Sequence, residues 1–167
     1  MAENIVYRKI QSTDLKPLKT LHEEFFPVQY SESFYIDACQ EKGIRNGPLF
    51  TLIATVNEEI IGFILAQFIP YSECEDSPVV ESNNGFHISH LFYILTLGVT
   101  QQFRRSRVAS TLLDHSINFA RRNRGCGAVY LHVLTTNLSA IKFYESNKFT
   151  LYKELFGMLS IIIYAYL

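Results

Sequence analysis

One continuous run, residues 91–147, constrains the fold more than any other feature: it reads strand, basic turn, helix, strand, helix. Residues 91–99 form a β-rich run, and Gln101-Gln102-Phe103-Arg104-Arg105-Ser106-Arg107-Val108-Ala109 then turns the chain. Val108, Leu112, Leu113, Ile117 and Ala120 recur at helical spacing, residues 128–134 read as a strand and 139–147 as a second helix. Upstream, 4–10 alternates as a first strand. Ser12-Thr13-Asp14 offers helix-capping side chains, and Pro17 suits a first helical turn. Leu15, Leu18, Leu21, His22 and Phe25 continue that helix until Phe26-Pro27 ends it. A short helix over 33–40 and a turn region over 43–48 precede two strands, 50–56 and 60–68, joined as a hairpin at Asn57-Glu58-Glu59. Residues 70–86 are polar and form a long loop, a length that in a domain of this size is functional or mobile. A strand over 161–167 closes the chain. The order β-α-α-β-β-β-α-β-α-β implies an α/β fold, a mixed central sheet with helices on both faces.

The 167 residues suit a single domain, 1–167, with 48 % hydrophobic and 19 % charged residues, the opposite of a disordered composition. Formal net charge is −1, so no global basic field points to nucleic acid. Cys39, Cys74 and Cys126 are scattered, with no metal-ligand spacing; they read as reduced thiols of an intracellular, cytoplasmic protein, and no metal is expected. Residues 1–10 lack a signal-peptide core. The apolar tail, 158–167, is about half the length of a membrane span and reads as a buried last strand.

Within the 91–147 run, the basic turn delivers the chain to a helix N-terminus, where unpaired backbone N–H groups and the helix dipole attract anions. With Arg104, Arg105 and Arg107 beside it, this is a site suited to a pyrophosphate. The plain alternative is a solvated basic turn. His132 lies in a strand with Tyr130 and Leu134 on its face and Leu131 and Val133 on the other. Read from its strand alone, it is either a core histidine satisfied by a hydrogen bond or an imidazole that moves protons near neutral pH.

Four segments resemble one family. Arg104 to Ala109 aligns with the Arg/Gln-x-x-Gly-x-Gly/Ala motif of the GNAT acetyltransferases. Phe26-Pro27-Val28-Gln29-Tyr30, Tyr93-Ile94-Leu95-Thr96-Leu97-Gly98-Val99, and Tyr130-Leu131-His132-Val133-Leu134-Thr135-Thr136-Asn137 with Ala140-Ile141-Lys142-Phe143-Tyr144-Glu145 look like N-terminal protein acetyltransferases, the NatF type above all. The NatE type shares Phe-Pro-Val-x-Tyr and the histidine strand, but the long 70–86 loop and Thr135-Thr136-Asn137 favour NatF.

The resemblance implies acetyl-CoA as co-substrate and protein N-termini as acceptors, methionine followed by a bulky residue or lysine, with histones a further class. Backbone groups of Leu97 and Val99 would pair with the pantetheine arm, and Gly98 would sit at a bulge. Arg104, Arg105, Arg107 and the N–H groups of Ser106, Val108, Ala109 and Ser110 would hold the pyrophosphate. Asn137 and Tyr144 would line the thioester end, Tyr144 also as donor to the leaving thiolate. His132 would be the general base, paired with Tyr93: the acceptor amine, with a pKa of about 7.7–8, must lose a proton before it attacks a thioester, and an imidazole can take it directly or through a water. Phe26, Pro27, Val28, Tyr30 and Tyr93 would wall the peptide's first residues.

Two features depart from the pattern. Arg107 replaces the motif's first glycine, which either weakens CoA binding or adds a phosphate contact. The segment 149–167 is short, and Tyr152, Tyr164 and Tyr166 match no peptide-covering residue. The C-terminal extension that attaches animal NatF-type enzymes to Golgi membranes is not in this sequence, so work at the cytosolic face of such membranes is an expectation from resemblance alone. The competing readings are a lysine, histone or small-molecule acetyltransferase of the same fold, and a degenerate acetyl-CoA-binding scaffold.

Overall fold

The computed structural model describes residues 4–40, 49–74, 88–155 and 160–166, with backbone alone for 153–155 and 160–166. Its strands follow the order β1-β2-β3-β4-β5-β7-β6 in a mixed sheet. The chain gathers into two compact units, Met1–Gln67 with Thr96–Ser116, and Phe68–Leu95 with Ile117–Leu167.

In the first unit, β1 (Val6–Lys9) pairs antiparallel with β2 (Leu49–Val56), and β2 pairs antiparallel with β3 (Glu59–Pro70). Val56 faces Glu59 across a two-residue turn, in which Asn57 and Glu58 have φ of 48° and 71°. Left-handed φ at both central positions is the turn that matches strand twist. Asn57 adopts it readily, whereas Glu58 does so without glycine's freedom. Residues 60–67 of β3 are buried without alternation, the signature of a strand covered on both faces.

Helix α1 (Leu15–Phe25) follows a 3₁₀ turn at Ser12–Asp14 and buries Leu18 and His22. Ser12 and Thr13 are exposed, and the polar work there falls to Asp14. Its carboxylate accepts from Arg8 Nη1 at 2.7 Å and Nη2 at 2.9 Å, and from the Gln11 N–H at 2.7 Å. The Arg8 hydrogen bonds hold the Asp14 carboxyl below its ordinary range. Helix α2 (Glu32–Cys39) buries Phe34, Tyr35 and Ala38.

Gly98 has no room for a side chain: a Cβ there would lie 2.5 Å from Phe25 Cδ2. That ring is stacked on Phe63, 8° from parallel at 5.9 Å, and has little room to retreat. Gly62 is tight for a related reason, since a Cβ would lie 3.1 Å from the Gly98 carbonyl and from Val108 Cγ1.

Strand β4 (His90–Val99) has residues in both units; in the second it runs parallel to β5 (Cys126–Leu134) through the pairs His90–Cys126, Phe92–Val129 and Tyr93–Tyr130. The irregularity in this ladder falls between His90 and Phe92. Beyond β5 come β7 (Ser160–Tyr166), antiparallel to it, and β6 (Thr150–Leu155), antiparallel to β7. Helix α3 (Val108–Arg121) has residues in both units, and α4 (Leu138–Ser146) lies between β5 and β6 in sequence.

The sequence reading missed β6. Thr-Leu-Tyr-Lys-Glu-Leu carries two adjacent charges and ends the strand order, a position where charged residues are tolerated. The loop expected from residue 70 starts later, because β3 reaches Pro70 and Tyr71–Glu73 forms a 3₁₀ turn. The turn region at 43–48 and residues 75–87 of that loop lie outside the described residues. Cys39, Cys74 and Cys126 are free thiols, with Cys126 pushed up to about 12 by burial. No described helix is long and apolar enough to cross a membrane.

Candidate active site

The second unit brings Tyr93 and His132 together. Parallel pairing sets Tyr93 beside Tyr130, and the two-residue period of β5 carries His132 to the same face. Tyr93 Oη lies 3.1 Å from His132 Nδ1, with ring centroids 5.4 Å apart and nearly edge-on. Tyr130 packs against Tyr93 at 4.9 Å and lies 6.2 Å from His132, and its hydroxyl lies 3.7 Å from Cys74 Sγ. Tyr130 is 5 % exposed while His132 is open to solvent. The arrangement is an accessible imidazole oriented by a phenol, which in turn rests on a buried aromatic. When Nδ1–H faces the tyrosine oxygen, the lone pair lies on Nε2, where an incoming amine or water can deliver a proton.

Asn137 and Tyr144 belong to this unit with different surroundings. The Asn137 side-chain oxygen caps α4, accepting from the Ala140 N–H at 3.1 Å and from Ser139 Oγ at 3.0 Å. Tyr144 is 7 % exposed, its ring packed on Phe143 at 5.1 Å and Phe149 at 5.4 Å. Burial pushes its hydroxyl well above the ordinary range, so it stays a neutral phenol that can donate a hydrogen bond.

The first unit holds the basic turn and the aromatic residues Phe26 and Tyr30. After β4 the Thr100 N–H donates to the Ile61 carbonyl at 2.8 Å, and the chain enters a 3₁₀ turn at Gln101–Phe103. Arg104, Arg105, Ser106 and Arg107 are exposed. Arg105 and Arg107 have φ of 63° and 66°, so Arg107 adopts the left-handed backbone that explains the motif's glycine. The Ser106 hydroxyl donates to the Phe103 carbonyl, and the Thr111 N–H to the Arg107 carbonyl at 2.9 Å. Val108 is buried, Ala109 and Ser110 half-buried; their N–H groups fall in the first helical turn, which lacks intrahelical acceptors. Three exposed guanidinium groups around such a terminus fit a phosphate-bearing ligand. Leu97 and Val99 are half-buried, and Arg104 Nε donates to the Val99 carbonyl at 3.4 Å.

Of the wall residues, Phe26 and Tyr30 turn inward, while Pro27 and Val28 are exposed, Val28 by 55 %. Phe26 lies 4.8 Å and Tyr30 5.0 Å from the His22 ring, and Tyr30 stacks on Phe34 at 4.2 Å. Sequence reasoning left His22 and Tyr130 out of the site. His22 passed as one more residue of an apolar helical face; its signal was being the one ionisable ring on that face.

The comparisons with known proteins agree with this geometry. The model of the Acetyltransferase (GNAT) family matches residues 15–149. N-alpha-acetyltransferase 60 of Xenopus tropicalis is 35 % identical over 150 residues, covering 86 % of this chain and 59 % of its own length. The chain thus spans about three fifths of that curated relative. Among solved structures, Arabidopsis thaliana NAA60 in complex with acetyl-CoA superposes with a TM-score of 0.85 at 26 % identity, covering 98 % of this chain and 99 % of that one. Arabidopsis thaliana Naa50 in complex with the bisubstrate analogue CoA-Ac-MVNAL gives a TM-score of 0.70 at 25 % identity, covering 96 % and 97 %. The mixed sheet, the motif turn at the head of α3 and a family match over most of its length lead to one conclusion: the chain belongs to the acetyltransferase (GNAT) family.

Proposed function

We propose that this chain transfers the acetyl group of acetyl-CoA to the α-amine of protein N-termini, preferring methionine followed by a bulky residue or lysine. The observation that carries the reading is the Tyr93–His132 hydrogen bond on an accessible face. Acetyl-CoA supplies an activated thioester. The N-terminus of α3, with Arg104, Arg105 and Arg107, holds its diphosphate, and backbone groups of Leu97 and Val99 hold its arm. His132 takes the proton of the substrate ammonium at Nε2, directly or through a water, and Tyr93 orients the imidazole. The amine then attacks the acetyl carbonyl; the tetrahedral intermediate gives up its second N–H proton to solvent and expels the thiolate, which accepts a hydrogen bond from Tyr144 and is protonated from solvent. Phe26 and Tyr30 supply an apolar wall for the first side chain. NAA60 and Naa50, the structural neighbours solved with acetyl-CoA and with a methionine-initiated bisubstrate analogue, support this reading.

The test has two stages. Acetyl-CoA at 100 times its Kd should stabilise the fold by about 2.7 kcal/mol, read as a melting shift. Peptides beginning Met-Leu, Met-Ile or Met-Lys should then be acetylated faster than those beginning Ser or Ala. No melting shift at millimolar acetyl-CoA would remove the co-substrate, and equal rates on Met and Ser peptides would remove the methionine preference.

Arg107→Gly separates binding from chemistry. Glycine relieves a left-handed arginine, so stability should rise by about 0.5–1 kcal/mol, the strain relief less the glycine's larger unfolded entropy. Loss of an exposed cation at the phosphate site should raise KM for acetyl-CoA while kcat stays within a few-fold. A strong fall in kcat with KM intact would show that the turn acts in the chemical step.

A further inference from the structure

The first unit contains a polar atom that the chemistry above leaves unused. His22 has no exposed surface, and rings surround it: Phe26 at 4.8 Å, Tyr30 at 5.0 Å, Tyr35 at 5.7 Å, Phe63 at 5.8 Å and Phe34 at 6.0 Å. Its Nδ1 lies 3.3 Å from Tyr35 Oη, whereas Nε2 is buried with no hydrogen-bond partner among the described residues. Tyr35 Oη has no other hydrogen-bond partner among them. If the imidazole donated to Tyr35, the phenol proton and the Nε2 lone pair would both be left unmet. If the phenol donates to Nδ1, one group alone is unmet, an N–H on Nε2. Burial holds the ring neutral, pushing its pKa down to about 4.

An orphaned buried donor destabilises the fold, and a leucine would fill the same space without it. The group is therefore costly to the empty protein and becomes useful when an acceptor arrives. Two of the rings against it, Phe26 and Tyr30, are those assigned to the substrate's first side chain. The acceptor must enter an aromatic surrounding, which penalises carbonyl and carboxylate oxygens. A thioether is apolar enough to enter, packs well on aromatic rings, and keeps a weak acceptor lone pair.

We propose that His22 is a specificity-determining residue, whose Nε2–H donates to the thioether sulfur of an N-terminal methionine at the Phe26–Tyr30 wall. The inference rests on the N-terminal acetyltransferase reading and deepens it. Phe26 or Tyr30 turns aside as the side chain enters, because Nε2 is covered in the unliganded fold.

Norleucine tests this, since it matches methionine in length and shape but has a methylene in place of sulfur. The wild-type enzyme should acetylate a Met-Leu peptide about 3–10-fold faster, in kcat/KM, than its norleucine counterpart. In His22→Leu that ratio should fall to near one. His22→Leu leaves the Tyr35 hydroxyl unpaired, so His22→Leu/Tyr35→Phe should be measured beside it; that double variant should melt no lower than wild type and also show a ratio near one. A purely structural histidine would change the melting temperature and leave the ratio untouched. Equal wild-type rates on the two peptides, or a methionine preference that survives in the double variant, would overturn the assignment. Failure of the wild type to acetylate either peptide would instead overturn the peptide reading, and this inference with it.

Discussion

His132→Ala is expected to lower kcat by roughly 10-fold at the least and by up to about 10⁴-fold, the range for loss of a general base. Tyr93→Phe removes the hydroxyl that lies 3.1 Å from Nδ1 and should lower kcat by roughly 10-fold or more. The two act through one hydrogen bond, so the double variant should be little worse than the poorer single. All three proteins should still show the melting shift with acetyl-CoA, because the phosphate and arm contacts lie elsewhere in the chain. The ascending limb of the kcat/KM pH profile should lose the enzyme group in His132→Ala and keep the titration of the substrate amine alone. Wild-type activity of His132→Ala across that range would make the imidazole structural and move the base elsewhere.

Gly98→Ala is expected to give the largest stability loss of a one-carbon change in β4. The added Cβ would meet Phe25 Cδ2 at 2.5 Å, and the Phe25 ring is backed by Phe63. Overpacking of this kind costs about 1–3 kcal/mol. For a chain of this size each kcal/mol lowers Tm by about 2–4 °C. Phe25→Ala alone opens a cavity and is also destabilising. Combined with Gly98→Ala it removes the clash, so the pair should be less destabilised than the sum of the singles by about 0.5–3 kcal/mol. Strict additivity, or a Gly98→Ala protein as stable as wild type, would show that the glycine answers to something other than the ring.

Much of the fold is readable in the residues because its causes are local. Helical spacing at Leu15, Leu18, Leu21 and at Val108, Leu112, Leu113 depends on a few neighbouring positions, and β-rich runs over 91–99 and 128–134 do too. The hairpin was legible from Asn57, whose side chain suits a left-handed turn. The motif segments marked Tyr93, His132, the basic turn and Phe26 with Tyr30 as candidates. Tertiary structure alone decided the rest, because those facts depend on residues far apart in sequence. Strand β6 has charges where a buried strand would not, and it forms because β7 folds back between it and β5. Asp14 accepts the Gln11 N–H as a capping residue does, but its second partner, Arg8 of β1, appears only in the folded chain. Gly98 is small because a ring from α1, more than seventy positions earlier, occupies its side-chain space. The 3.1 Å approach of Tyr93 to His132 joins residues 39 apart, and the orphaned Nε2 of His22 exists only once rings from the segment between α1 and α2, from α2 and from β3 enclose it. Periodicity says which face of a helix is buried; only the packed chain says which polar atom on that face is left without a partner.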